Sequence, residues 1–463
     1  MSSPILWLFI PILISGISLF FTRQRVLLKW AGTGINFLLA LSALVLPVNQ
    51  DFRLLFWTLN ISDELLVFGR RFILSPGDQP VVALVFALGF IWFLLLDPDL
   101  VPIHTIPLGM AGNGLILTAY AVDPLFYGAL FFAFLALIDV VLLSPPGSQP
   151  TPGALRFLVF QILGMLFILF ASWLASWLDL NAGDQLLLAR SLLILALGFS
   201  FLLAIFPFLS WVPMVAEENH PFLGGYVFYT YFLGAFLYGM RFISEGGWLS
   251  RSGNLQGPLQ LAGLLMLGIG GVMAFFNSHL GRLTSALVIA NIGRSLLAIS
   301  LFMSGFPILY ALIVIQALGL GLWSLALTNL VDAAGDLDYA NAAGSAWQWP
   351  LTTAGLLVGY FSLAGLPLLA GFPVSWALGT GLSYYPLWIP VAYGVGWSGL
   401  IIGGLRLVNA LARRSGEEQV LILGHPIYRY LILALILLLL LLGLFPGILG
   451  GISNTIAASL TEL

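Results

Sequence analysis

Apolar runs of membrane-spanning length recur from one end of the chain to the other, and this repetition restricts the possible folds more than any motif. A helix needs about 20 apolar residues to cross hydrocarbon, and such runs fill most of the 463 residues. Charged residues make up 8% of the chain and hydrophobic ones 60%, whereas roughly a quarter of a soluble domain is charged. So few charges cannot cover a water-soluble surface, and a single anchor cannot account for runs along the whole length. The sequence therefore predicts an all-α, polytopic membrane protein whose first partner is the lipid bilayer.

Punctuation by charge, Pro and Gly predicts about fourteen helices. They fall near 4–22, 27–47, 80–96, 104–121, 124–143, 154–178, 188–213, 221–243, 258–276, 283–303, 306–331, 348–378, 385–411 and 428–452. The first run lacks a basic leader segment and an A-x-A site, so it reads as a retained helix rather than a cleaved signal. With the amino terminus outside, the inner loops hold Arg23, Arg25, Lys29, Arg156, Arg282, Arg406, Arg413, Arg414 and Arg429. The outer loops hold Arg53, Arg70, Arg71, Arg190, Arg241 and Arg251, an imbalance in the sense of the positive-inside rule.

Composition also excludes whole classes of chemistry. The chain has no cysteine, and its four histidines, His104, His220, His279 and His425, lie far apart. No metal site is expected by spacing. The net charge of −3 leaves no basic surface for nucleic acid. Phosphate-binding loops, dinucleotide fingerprints and catalytic triads are absent, so neither a cofactor nor a catalytic constellation is expected.

Two runs are interrupted. The seventh contains Pro207, and the long twelfth contains Gly365, Pro367 and Gly371. Proline removes an amide donor, and lipid tolerates the break only where protein or water satisfies the freed groups. Paired broken helices in two halves mark the core of many transporters, but they also serve as packing kinks. Phe206-Pro207-Phe208-Leu209-Ser210-Trp211 is echoed by Phe372-Pro373-Val374-Ser375-Trp376, in keeping with two repeats.

Three stretches carry a family resemblance. Phe361 to Phe372 (FSLAGLPLLAGF) resembles the S-L-A-G-x-P-x-x-A-G-F run of the antiporter-like subunits of respiratory complex I, membrane-bound hydrogenases and multisubunit cation/proton antiporters. Gly198 to Pro213 (GFSFLLAIFPFLSWVP) is similar to that family's G-x-x-F-K-x-x-x-x-P-F-H-x-W-x-P. Leu280, Arg282, Leu283 and Gly293 fall where the family has D-L-K-R-L and a later glycine. The resemblance implies an inverted-repeat fold with broken helices 7 and 12. Its parts would be peripheral helices in 1–103, repeats in 104–243 and 258–411, and a last helix in 412–463. The length favours the N-type subunit over the longer L-type. The family implies other membrane-arm subunits as partners and a bacterial inner (plasma) membrane as location.

The departures from the family bear on function. The family moves protons through a seventh-helix lysine, a fifth-helix glutamate, and lysines or histidines in the eighth, eleventh and twelfth helices. Burial lowers the pKa of such a lysine, so a nearby carboxylate can switch its charge. Here the corresponding positions read Leu202, Leu209, Phe232, Gln316, Leu320 and Ser375, and the glutamate falls near Phe132. Lys29 is the only lysine, so no alignment can restore a lysine relay. Leu and Phe at these sites also remove about 2.5–3.5 kcal/mol of insertion cost per central charge.

A few charges remain as proton-path candidates. Arg294 lies mid-run in the tenth helix, and an intramembrane arginine is a functional candidate by default; a structural pairing is the alternative. Asp139 is expected to snorkel to the nearer face. Glu217, Glu218 and His220 form a cluster that could titrate near neutral pH or could simply be a solvated loop. Asp78 and Asp123 precede helix starts and are expected only to cap them. The readings left open are a structural membrane-arm subunit of a complex I-like NADH:quinone oxidoreductase, an active translocating subunit with a rebuilt polar path, and a transporter recruited to other work on the same scaffold.

Overall fold

The structure is a computed structural model that describes residues 2–54, 57–144, 147, 149–178, 184–245, 255–335, 337–413 and 426–461. Arg251, Arg414 and His425, and the side chain of Arg53, lie outside the described residues. The helices are α1 (Ile5–Phe21), α2 (Arg25–Val45), α3 (Gln79–Leu95), α4 (Thr105–Ala121), α5 (Gly128–Leu143) and α6 (Pro152–Leu178). They continue with α7 (Gln185–Leu202), α8 (Trp211–Glu218), α9 (Pro221–Glu245), α10 (Gln256–Phe276), α11 (Leu280–Ser300) and α12 (Phe306–Ala334). The last are α13 (Ser345–Gln348), α14 (Pro350–Ala364), α15 (Gly371–Leu382), α16 (Trp388–Ala412), α17 (Pro426–Leu444) and α18 (Pro446–Thr461). Among the described residues, 10 helices are long and apolar enough to cross a membrane, and two shorter apolar ones accompany them. This is a multi-pass membrane protein.

Local chemistry fixes many helix ends. Proline occupies the first turn of α3, α12 and α14, where its missing N–H costs nothing. The Asp184 carboxylate accepts from the amides of Leu186 and Leu187, each at 3.0 Å, and so starts α7. Gly335 ends α12 in the left-handed region at φ 79°, a conformation open to glycine.

The centre of the bundle is α11, whose spanning window is 100% buried, and α12, at 89%. The spanning windows of α6 and α7 are 28% buried, so their Leu, Phe and Trp side chains face lipid. Backbones meet closely where glycines line up. A Cβ on Gly293 of α11 would stand 2.6 Å from the Gly263 carbonyl of α10, so only glycine permits that approach.

The segment between α2 and α3, left without helices in the sequence reading, forms two antiparallel hairpins. β1 (Asp51–Leu54) pairs with β2 (Trp57–Asn60), and β3 (Glu64–Val67) with β4 (Arg70–Ile73). β4 also pairs with the short β5 (Val122–Asp123), Arg71 opposite Asp123. These strands mark one end of the bundle, the hairpin face.

Three charges assigned to loops or caps are in fact buried. Asp78 does cap the turn before α3, its Oδ2 accepting from the Ser75 amide at 2.8 Å. Its Oδ1, however, forms an ion pair at 2.7 Å with Arg241 of α9 and accepts from the Tyr120 hydroxyl of α4 at 2.8 Å. Arg241 is thus not a loop residue: it lies within α9 and is buried against Asp78. Lys29 is buried at the opposite face, its ammonium donating to the Tyr428 hydroxyl of α17 at 2.9 Å. That hydroxyl donates to the Leu96 carbonyl at 3.1 Å, which ties the ends of α2, α3 and α17 together.

The pairing of Asp78 with Arg241 predicts a graded response. Arg241→Met leaves a buried carboxylate without its cation and should cost about 3–5 kcal/mol, read as a lowered thermal midpoint in detergent. Arg71→Met breaks a pair whose side chains are 58% and 39% exposed and should cost at most about 1 kcal/mol.

Candidate functional site

The helical course stops between α7 and α8 and again between α14 and α15. Pro207 and Pro367 are exposed at these interruptions, whereas Gly365 and Gly371 are buried. Gly365 takes φ 82°, and a Cβ there would lie 2.6 Å from the Ser375 hydroxyl. The chain can therefore fold back on itself at this point only with glycine.

The second interruption frees carbonyls at the end of α14, and those of Leu363 and Ala364 are met by side chains from other helices. Arg294 of α11, buried, donates from Nη1 to Ser375 Oγ at 2.9 Å and from Nη2 to the Leu363 carbonyl. The Trp397 indole donates to the Ala364 carbonyl at 2.8 Å, and the Tyr393 hydroxyl to the Ser375 carbonyl at 2.9 Å. A guanidinium at the carbonyl end of a helix sits at the negative end of its dipole. Among the described residues Arg294 has no carboxylate partner. Its polar contacts are neutral, fixed groups.

The remaining positions singled out in the sequence form an apolar core in the first half. Leu202 and Phe232 are buried, and Leu209 is half-buried. Trp211 packs against Phe157 at 4.8 Å and stacks on Phe232 at 5.9 Å between ring centroids. Its echo, Trp376, is 60% exposed, so the repeated Phe-Pro…Trp segments sit in different surroundings. In α12, Leu320 and Gln316 are both buried, and the Gln316 Nε2 has no protein partner.

Asp139 does not snorkel. It is 1% exposed on α5, because that part of the helix faces α4, α6 and α9 rather than lipid or a polar surface. Its Oδ2 has no hydrogen-bond partner in the protein, and Tyr226 and Tyr231 of α9 lie near enough to feel its charge. Tyr231 donates to Gln161 Oε1 at 2.7 Å. The Tyr226 hydroxyl and Gln161 Nε2 are unpartnered as well.

The Glu217, Glu218 and His220 cluster is drawn in three directions. Glu217 makes a two-pronged pair with Arg282 at 2.8 Å for both bonds, beside His279 and Asp338. That hydrogen bond holds the Glu217 carboxyl below its usual range. Glu218 accepts from the Gly153 amide at 2.7 Å, at the start of α6, where a carboxylate meets the positive end of the helix. His220 Nδ1 accepts from the Phe222 amide at 3.3 Å, and burial lowers its pKa. These residues anchor α8 to α6 and α11, with His220 held neutral.

The bundle has the fold of the membrane subunits of respiratory and antiporter complexes. Over 99% of the chain the fold matches a chain of respiratory complex I from Thermus thermophilus, with a TM-score of 0.77 and 20% identity, covering 99% of that chain. It matches a chain of an archaeal membrane-bound sulfane sulfur reductase with a TM-score of 0.78 and 17% identity, over 99% of this chain and 98% of that one. By sequence, 267 residues, 53% of the chain, are 26% identical to NADH-quinone oxidoreductase subunit N of Ectopseudomonas mendocina and cover 50% of it. The chain thus spans about half the length of the curated relatives it matches. No family model matches it. The chain thus shares the fold of antiporter-like membrane subunits, is similar in sequence to subunit N over about half its length, and is a multi-pass membrane protein.

The histidine environment sets a pH dependence. The folded pKa of His220 is lowered, so below about 6.5 the unfolded chain takes up a proton that the folded chain resists. Stability from this group is present above that value and falls as pH drops. The thermal midpoint of the native protein should decline between pH 7 and pH 5 more than that of His220→Gln; equal slopes would contradict the assignment.

Proposed function

We propose that the chain is a structural subunit in the membrane arm of a complex I-like NADH:quinone oxidoreductase. It fills a place among antiporter-like neighbours without carrying protons by the family's lysine route. The two repeats would be 104–243 and 258–411, flanked by the peripheral helices of 1–103 and the C-terminal segment 412–463. The subunit itself is non-catalytic and needs no cofactor.

The observation that carries the reading is the environment of Arg294. A relay cation must exchange its proton and feel a carboxylate that comes and goes. Arginine keeps its proton in proteins, and this one is spent on the Leu363 carbonyl and the Ser375 hydroxyl. Leu202, Phe232, Leu320 and Ser375 carry no charge, and Lys29, the only lysine, is engaged with Tyr428 at one face. The role that fits is to hold an interrupted helix in place inside hydrocarbon.

Asp139 favours a second reading, a rebuilt polar path. Its unpartnered oxygen and the free polar atoms of Gln161, Tyr226 and Gln316 are groups that water could join.

One preparation tests both readings. The tagged chain, purified from native membranes in mild detergent, should bring with it flavin and iron–sulfur subunits and other antiporter-like chains. Proton-to-electron stoichiometry is then measured in vesicles. Arg294→Gln should lower the yield of assembled complex severalfold and leave the stoichiometry of the assembled fraction unchanged, as should Asp139→Asn. Recovery of the chain alone would overturn the partner assignment. A lowered stoichiometry with normal assembly would overturn the structural role and favour the rebuilt path.

A further inference from the structure

A basic cavity at the face opposite the hairpins plays no part in the role proposed above. It measures about 650 Å³ and is lined by Tyr339, Ala340 and Ala343 of the α12–α14 connection, by Arg406 and Asn409 of α16, and by Arg413 just past its end. We propose that this cavity binds the phosphate of an anionic phospholipid headgroup.

The polar half of the cavity has the donors such a ligand needs. Arg406 and Asn409 share one face of α16, Arg413 follows its last residue, and all three are exposed. Neither arginine has an ion-pair partner among the described residues. Both lie near the carboxyl end of the helix, where cations are favoured. The Tyr339 hydroxyl is buried in the wall with no hydrogen-bond partner, and Arg406 is close enough to act on it electrostatically. Two guanidinium forks, an amide and a hydroxyl converge on one space, and guanidinium groups match phosphate oxygens in pairs.

The surroundings favour a lipid over a soluble anion. On the same helix, just below Arg406, Ile402 and Leu405 are 41% and 57% exposed, as an acyl-facing surface would be. Phe276, on α10, is 71% exposed. The Arg406 guanidinium carbon lies 5.7 Å from the Phe275 ring, which places the cation at the edge of this apolar zone. Trp347 is half exposed and donates its indole N–H to the Ala412 carbonyl at 2.9 Å, the placement typical of a membrane interface. Basic pockets between spanning helices at one membrane surface bind anionic headgroups. A zwitterionic lipid would bring its ammonium up to two guanidinium groups and lose that attraction.

The test uses the full chain in detergent, with binding of short-chain lipids followed by native mass spectrometry. The probes are dioctanoyl phosphatidylglycerol, dioctanoyl phosphatidylcholine and inorganic phosphate. The native chain should prefer phosphatidylglycerol over both. At roughly fivefold per arginine, Arg406→Gln with Arg413→Gln should weaken its binding by about 25-fold. Arg406→Lys with Arg413→Lys should keep most of it, and Arg190→Gln, on an exposed turn of α7, should keep all of it. The thermal midpoint confirms that each variant is folded; should the double glutamine variant not fold, Arg413→Gln alone, at the helix end, must still lose about fivefold. Undiminished binding in the folded glutamine variants overturns the site. Inorganic phosphate binding as tightly as the lipid, or phosphatidylcholine binding equally well, overturns the assignment to an anionic lipid.

Discussion

A helix that stops inside an apolar bundle leaves carbonyls that apolar neighbours cannot satisfy, and the end of α14 shows how this bundle meets that constraint. At the end of α14 the Leu363 and Ala364 carbonyls are met from two other helices, by the Arg294 guanidinium of α11 and the Trp397 indole of α16. Tyr393 of α16 and Ser375 of α15 complete the ring of contacts. Because the spanning window of α11 is wholly buried, Arg294 can reach the break from the bundle interior. The glycine pair at 365 and 371 lets the chain return close enough for Ser375 to join. Removing Arg294 would leave a carbonyl and a hydroxyl without a donor in a place where such losses are expensive.

The other buried charges follow the same rule at the two ends of the molecule. Asp78 with Arg241 links α3 and α9 at the hairpin face, and Lys29 with Tyr428 links α2 and α17 at the opposite one. Between these ends Leu202, Phe232, Leu320 and Ser375 are buried and uncharged, with Phe232 stacked on Trp211. Charge here joins elements together, and the mid-membrane core of the first half relies on stacking around Trp211. Asp139 is the exception, a carboxylate with an unpartnered oxygen among tyrosines.

Much of this was legible in the sequence, for a simple reason. Crossing hydrocarbon demands about 20 apolar residues, so helices such as α2, α6 and α10 announce themselves by length. Arg294 stood out as a charge in mid-run. Its partners did not, because a backbone carbonyl and a serine carry no signature at a distance of 69 or 81 residues. Asp78 and Arg241 lie 163 residues apart, and each sits near a helix end, so both read as ordinary cap or loop residues. Asp139 read as a snorkelling group because a single helix does not reveal that α4, α6 and α9 close over it. The hairpins were missed because four-residue strands such as β3, alternating between exposed and half-buried, leave too short a pattern to separate from a loop.

The claim on which the account turns is that polar groups in the membrane interior are isolated anchors and do not form a continuous wet line. Radiolytic hydroxyl labelling of the protein in native membranes, read residue by residue, measures water contact inside the bundle. The account predicts labelling at the two faces and at most an island near Asp139, with Leu202, Phe232 and Leu320 silent. An unbroken series of labelled residues from Asp139 through α12 to Arg294 would contradict it.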